Sequence, residues 1–301
     1  MSAPAIVEHR GGGMLWFSAA HLERNGVPHG FAACNGGASR GPFASLNFSS
    51  REGDVPSRVV ENWKRLAAAA GLPAQGWGLL SQVHGARVER IAAGGSACHH
   101  RRNHPEADAL VTAQRGVVLG VLTADCLPVI LAVAGGSAVA IAHAGWRGTL
   151  DGVVQQAVRE LCTVSGAAPD DILAAIGPSI GRCCLQVGAE VHEAFHERWG
   201  AAHARRILVK SDPWRLDLPA ANLIQLREIG LRTSNVAFVQ HCTCCRKDLF
   251  YSYRRDGQKT GRMLNFVTVA EKGPSAALPS SRLPAAGTSP PQSPLRRAPC
   301  T

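Results

Sequence analysis

The chain has 301 residues, 46% of them hydrophobic, and a formal net charge of +10; that length and apolar content bury one large core or two small ones. The arginines are scattered apart from Arg101-Arg102, Arg205-Arg206, Arg254-Arg255 and Arg296-Arg297. With no recognised nucleic-acid module in sight, a basic groove for a phosphate-bearing small molecule accounts for the charge, and no nucleic-acid partner is expected.

In chain order, Gly30 to Ala33 reads as a strand and Pro56 to Ala70 as a helix, capped by Asp54 and stopped at Gly71 and Pro73. The apolar run Trp77 to Leu80 and a strand at Val88 to Ile91 follow. Val117 to Leu122, Val129 to Val133 and Val139 to Ala142 are short β-branched runs and read as buried strands. Asp125, Pro128 and Gly135-Gly136 interrupt them, so the region belongs in a soluble core and no membrane partner is expected. Leu150 to Val164 reads as a helix capped by Thr149, with Val153, Val154, Ala157, Val158 and Leu161 on one face. Strands at Ile172 to Ile176, Ile207 to Val209, Val236 to Val239 and Met263 to Val267 alternate with helices at Gly188 to Trp199 and Pro219 to Ile229, the last stopped by Gly230. This mixture predicts an α+β fold, a single domain with mixed β-sheets flanked by helices. GxGxxG and P-loop sequences are missing, so phosphate handling falls to arginines and backbone amides.

Gly273 to Thr301 holds seven prolines, three arginines, no acid and no aromatic residue. Such a segment buries too little apolar surface to offset its ordering entropy. The expected division is therefore a catalytic domain over residues 1–271 and a disordered Pro/Ser/Ala-rich tail over 272–301. Met1 to Gly13 contains no apolar leader segment, and the ten cysteines are expected to be reduced thiols of a cytoplasmic protein.

Three polar residues stand at the ends of apolar runs. Cys126 follows Thr123-Ala124-Asp125, His143 follows the run Val139 to Ala142, and His84 follows Ser81-Gln82-Val83. Each alone is more often an ordinary core residue. Together they make a three-ligand zinc site with its fourth position open, and the same donors suit copper. Asp125 either holds a ligand histidine through its second ring nitrogen or makes a turn before Pro128. Arg147 offers phosphate a planar fork or forms a surface salt bridge, in competition with Arg40, Arg254 and Arg255. Asn47 either binds a ribose hydroxyl or makes a turn.

Other patterns compete. His192-Glu193-Ala194-Phe195-His196 spells the HExxH signature of zinc metalloproteases, but Val191, Ala194, Phe195 and Trp199 form the apolar stripe and leave both histidines on its shoulder. Cys242-Thr243-Cys244-Cys245 lacks a matching second pair, and Cys183-Cys184 has no ribbon spacing, so Cys242 reads as core and the others as incidental thiols. His99, His100, Arg101, Arg102 and His104 read as an exposed, adventitious metal-binding loop. The several HxH pairs of a multicopper oxidase are absent from the sequence.

The chain resembles the YfiH-type family of purine nucleoside phosphorylases, whose older label is polyphenol oxidase or laccase domain. The matching blocks are Ser45-Leu46-Asn47, Gln82-Val83-His84-Gly85, Ala107-Asp108-Ala109-Leu110-Val111-Thr112, Thr123-Ala124-Asp125-Cys126, His143-Ala144-Gly145-Trp146-Arg147-Gly148, Ile176-Gly177-Pro178 and Cys184-Leu185-Gln186-Val187-Gly188. The stretch from Phe250 to Gly257 and Thr260-Gly261-Arg262 complete the series. The resemblance implies a YfiH-type, cysteine-hydrolase-like fold, a catalytic zinc on His84, Cys126 and His143, and cleavage of purine nucleosides by phosphate. It also implies deamination of adenosine and phosphorolysis of methylthioadenosine. The alternatives are a metal-free cysteine hydrolase using Cys126 and His143, a cell-wall precursor editing hydrolase, the HExxH protease and a nucleotide-binding regulator without enzyme activity.

Truncation after Lys272 is expected to leave the melting temperature and activity close to those of the full chain, because Leu278, Leu283 and Leu295 are too few and too widely spaced to anchor the tail. Thermal melts of the two chains check this; a clear loss of stability refutes it.

Overall fold

Leu127–Val133 and Val139–Ala144 pair as an antiparallel hairpin in which every strand residue is buried. Strands of this kind, with no polar face, fit only between two apolar layers. The computed structural model, which describes residues 4–73, 76–91, 104–211 and 213–269, shows what those layers are.

One six-stranded sheet runs β1 (Ile6–Gly11), β2 (Met14–Ala19), β3 (His29–Ala32), β15 (Met263–Thr268), β7 (Val118–Thr123) and β4 (Trp77–Gly78). The other runs β14 (Val236–Phe238), β10 (Ile172–Ile176), β8 (Leu127–Val133), β9 (Val139–Ala144), β6 (Ala109–Thr112) and β5 (Val88–Arg90). A small third sheet joins β11 (Gln186–Val187), β13 (Trp214–Leu216) and β12 (Leu208–Val209). The pairs β4 with β7, β5 with β6 and β10 with β14 are parallel, so both large sheets are mixed, as the sequence leads one to expect. The helices are α1 (Ala20–Arg24), α2 (Pro56–Ala69), α3 (Trp146–Leu150), α4 (Val153–Ser165), α5 (Ala189–Ile207), α6 (Leu218–Glu228) and α7 (Tyr253–Asp256).

The period-2 alternation of β8 sorts its side chains between two cores. Leu127, Val129, Leu131 and Val133 pack with Val154, Val158 and Leu161 of α4, while Ile130 and Ala132 meet Leu119, Val121 and Val267 of the facing sheet. On the far side of that sheet, Val59, Trp63 and Leu66 of α2 cover Trp16, Val118, Leu264 and Phe266. The layers are therefore helix, sheet, sheet, helix, and polar groups collect where strands end between them.

Several local readings are corrected. The first hairpin, β1 with β2, turns on Gly12 and Gly13, both at positive φ, and its apolar run after a glycine triplet is a strand signal the sequence reading passed over. Asp54 does not cap α2: Val55 occupies that position ahead of Pro56, and Asp54 accepts the Val55 N–H and the Asn47 side chain instead. The helix expected from Leu150 is split at Gly152, whose φ of 82° starts α4 afresh. Thr149 lies inside α3, where its hydroxyl accepts from Asn222 Nδ2 at 2.9 Å. The helix expected to stop at Trp199 continues to Ile207 across a kink at Gly200. The tail over 272–301 and the residues His99, His100, Arg101 and Arg102 lie outside the described residues.

His29 in β3 is fully buried; its Nε2 accepts the Ala19 N–H at 2.8 Å and its Nδ1 donates to the Val27 carbonyl at 2.8 Å. Burial pushes its pKa down from 6.5 to about 4. Between those values the unfolded chain carries a proton that the folded chain refuses, so stability falls as pH drops from about 6.5 towards 4. The loss from this group is roughly 3 kcal/mol by pH 4. Urea unfolding across this range is expected to show it, with a shallower pH slope for His29→Asn.

Candidate metal centre

Cys126 immediately precedes β8, and His143 sits in β9 opposite Pro128. Neighbouring strands thus bring thiol and imidazole together at one edge of the hairpin. His84 arrives on the turn after β4, held by Gln82, whose amide donates to the Leu122 carbonyl and accepts the Leu122 N–H, both at 2.8 Å. The donor atoms of His84, Cys126 and His143 all lie within 4.8 Å of one another. Gly145 makes the cluster possible: a Cβ there would stand 2.9 Å from His84 Cδ2 and 3.2 Å from Cys126 Sγ. Two imidazoles, one thiol and a cradle without room for a methyl group fit a bound metal ion.

The second-ring-nitrogen partner expected of Asp125 is Asp108. Its Oδ1 pairs with His143 Nδ1 at 2.8 Å and also accepts the His84 N–H at 3.0 Å. Its Oδ2 accepts the N–H groups of Gly85 at 2.7 Å and Val83 at 3.2 Å. Burial opposes the Asp108 charge, but the His143 ring and the Gly85 and His84 amides outweigh it and hold the carboxyl below its ordinary value. Burial likewise pushes the Cys126 thiol up, and His143 and His84 reverse this, bringing it down to about 6. His143 is driven the other way: burial lowers it, while Cys126 and Asp108 raise it to about 9. Each group thus favours the charged form of the other.

Asp125 acts elsewhere. Held at φ 98°, it accepts Thr243 Oγ1 at 2.6 Å, Ser252 Oγ at 3.0 Å and the Arg254 N–H at 2.7 Å. It thereby ties the turn before Cys126 to two distant loops.

The three candidate ligands line a cavity of about 1090 Å³, at the upper end of the size of small-molecule sites. Phe48, Val59, Trp63, Leu79 and Leu122 make its apolar wall, and Arg51, Arg147, Arg254 and Arg262 its basic rim. Arg147 is exposed, lies 4.3 Å over the Trp146 ring and makes no ion pair among the described residues. Arg254 is spent on the carbonyls of Cys184 and Gln186, and Arg262 on Glu52 and the carbonyls of Thr260 and Gly261. Two of the expected arginines are not at the cavity. Arg40 is exposed away from it, and Arg255 binds the Thr243, Cys244 and Phe250 carbonyls and Asp256. Asn47 also stays out: fully buried, it donates to Ser49 and Asp54 and accepts the N–H groups of Ser49 and Arg262. Glu52, which the sequence reading passed over, lines the cavity with Oε2 buried and unpartnered among the described residues.

Known proteins resemble this chain over most of its length. Residues 28–270 match the family model described as multi-copper polyphenol oxidoreductase laccase. The chain is 37% identical over 255 residues to purine nucleoside phosphorylase YlmD of Geobacillus stearothermophilus, covering 80% of this chain and 90% of that one. It is 39% identical over 245 residues to purine nucleoside phosphorylase YfiH of Escherichia coli, covering 80% and 94%. The crystal structure of hypothetical protein YfiH from Bacillus licheniformis superposes with a TM-score of 0.80 at 31% identity, covering 87% and 98%. The chain belongs to the YfiH-type family.

In this YfiH-type chain the HExxH helix offers no third donor. His192 stacks on Trp214 at 4.0 Å between ring centres, Glu193 and His196 are exposed, and neither of the two converging His/Cys/Asp/Glu sets among the described residues includes them. The second of those sets is a correction: Cys183, Cys184 and Cys245, expected to be incidental, and Cys242, expected to be core, converge within 4.8 Å. His104 lines the cavity. Among the described residues no helix is long and apolar enough to cross a membrane.

The Asp108 contact has a measurable consequence in metal-free protein. Alkylation of Cys126 by iodoacetamide, followed by mass spectrometry, is expected to switch on with a midpoint near pH 6. Asp108→Asn withdraws support from the imidazolium and moves that midpoint up towards the ordinary thiol value of about 8.5.

Proposed function

We propose that the chain is a zinc-dependent purine nucleoside phosphorylase that converts adenosine, inosine or guanosine and phosphate to free base and ribose 1-phosphate, with deamination of adenosine and phosphorolysis of methylthioadenosine as side activities. The observation that supports this best is the placement of His84, Cys126 and His143 on the floor of a ligand-sized cavity with a basic rim. The naming of its relatives as purine nucleoside phosphorylases points the same way.

Zinc held by His84, Cys126 and His143 would supply Lewis-acid polarisation of substrate. The chain's own groups do the positioning. Arg147, kept in place by Trp146 and not spent on a carboxylate among the described residues, presents its fork to phosphate. An oxygen of hydrogen phosphate then bonds to the anomeric carbon as the bond from that carbon to the purine nitrogen breaks, and the departing base takes the electron pair and the proton that the phosphate gives up. Glu52 Oε2 accepts from a ribose hydroxyl, the role expected of Asn47, and Trp63, Phe48 and Tyr253 flank the base. The described cysteines form no disulfide, which supports a reducing, cytoplasmic setting.

A second reading rests on one specific arrangement. Cys126, His143 and Asp108 are ordered as nucleophile, base and orienting carboxylate, so a metal-free cysteine hydrolase, including one that edits cell-wall precursors, uses the same residues.

Zinc content and phosphate dependence separate the two, and Cys126→Ser links metal to turnover. Under the phosphorylase reading, untagged protein contains zinc at this centre, cleaves inosine only with phosphate present, and loses both metal and at least about 100-fold of its activity on Cys126→Ser. A wild type with full activity and no zinc at this centre, or phosphate-independent turnover, supports the hydrolase instead.

A further inference from the structure

The parallel neighbours β10 and β14 send their following loops out side by side. Ser179 and Cys242 form a parallel bridge, and the Thr243 N–H donates to the Ser179 carbonyl at 3.0 Å. Cys183 and Cys184 come from the first loop, Cys242 and Cys245 from the second, and all four sulfurs lie within 4.8 Å of one another. Cys245 Sγ is 3.6 Å from Cys183 Sγ and 3.4 Å from Cys184 Sγ.

These separations discriminate between sulfur chemistries. A disulfide requires about 2.05 Å. Four thiolates on one tetrahedral ion at a bond length of about 2.3 Å stand about 3.8 Å apart. Iron–sulfur clusters, with several metal atoms between the cysteines, need more room than four sulfurs within 4.8 Å allow.

The backbone around the sulfurs suits the same reading. The Gly181 N–H donates to Cys242 Sγ at 3.2 Å, and a Cβ on Gly181 would stand only 3.3 Å from Cys183 Sγ. A divalent ion on four thiolates leaves a net negative charge. Three guanidinium groups face the backbone that carries it: Arg215 donates to the Cys183 carbonyl, Arg254 to that of Cys184, and Arg255 to those of Thr243 and Cys244.

We propose that Cys183, Cys184, Cys242 and Cys245 form a second metal site, structural and four-sulfur, that takes a zinc ion and clamps the loop after β10 to the loop after β14. The clamp bears on the other centre through Asp125, whose carbonyl accepts the Ile180 N–H at 2.8 Å and whose carboxylate accepts Thr243 Oγ1. Both donors belong to the clamped loops, and Asp125 is the residue before Cys126. The site thus fixes where Cys126 stands without touching substrate.

The test removes the other centre first. Untagged Cys126→Ala/His143→Ala protein, purified with zinc, is expected to retain about one zinc per chain, and X-ray absorption should show four sulfurs at about 2.3 Å. Loss of all zinc from this variant, a nitrogen-containing shell, or a disulfide among the four cysteines by mass spectrometry overturns the proposal. Cys242→Ser/Cys245→Ser is expected to lose about one zinc per chain and to melt at lower temperature; should it fail to fold, absorption on the first variant still decides. Zinc lost between wild type and Cys126→Ala/His143→Ala reports on the His84, Cys126 and His143 centre alone, so the two sites fail separately.

Discussion

The carboxylate of Asp108 is the point on which the candidate centre hangs. Buried at the start of β6, it gathers three backbone N–H groups of the turn at residues 83–85 and the inner nitrogen of His143. Buried donors left without an acceptor cost about 1–3 kcal/mol each. A neutral or shorter side chain at this position therefore releases both the turn that carries His84 and the ring orientation of His143. The turn needs such a hold, because His84 itself sits at φ 63°, where a side chain is disfavoured.

Around that carboxylate the polar residues divide into those that serve the backbone and those left for a ligand. Loops that end buried strands have few regular partners, so side chains must supply acceptors and donors. Asn47, Arg255, Arg262 and Arg254 are absorbed in that task. What is left facing the cavity is a smaller set, Arg147 and Glu52 above all, and it is this remainder that carries chemical meaning.

The same division explains what the sequence could tell. Cys126, His143 and His84 were readable because each interrupts an apolar run at its end, and the blocks around them match a known family over most of the chain. The α+β layering was readable because β8 and β9 have no polar face. Asp108 and Asp125 were not separable: both are short acids at the mouth of a buried strand, and only the strand order β8, β9, β6 decides which one reaches His143. Arg255 and Asn47 look like ligand-binding residues in sequence because their backbone partners are remote. The four-cysteine cluster was hidden for a related reason, since its two pairs come from loops that only a parallel pairing of β10 with β14 makes neighbours.

β15, the last described strand, lies between β3 and β7, pairing with both. The sheet whose outer face supports α2, and with it the Trp63 side of the cavity, is interrupted until that strand arrives. During synthesis the helix-backed sheet of β8 and β9 can form early, but the wall facing it waits for residues near 268 to leave the ribosome. A chain halted short of that point would carry all of His84, Cys126 and His143 with no enclosed cavity above them. Enclosure of the cavity thus depends on a strand far along the sequence from the three side chains it covers, and is complete only when β15 has joined β3 to β7.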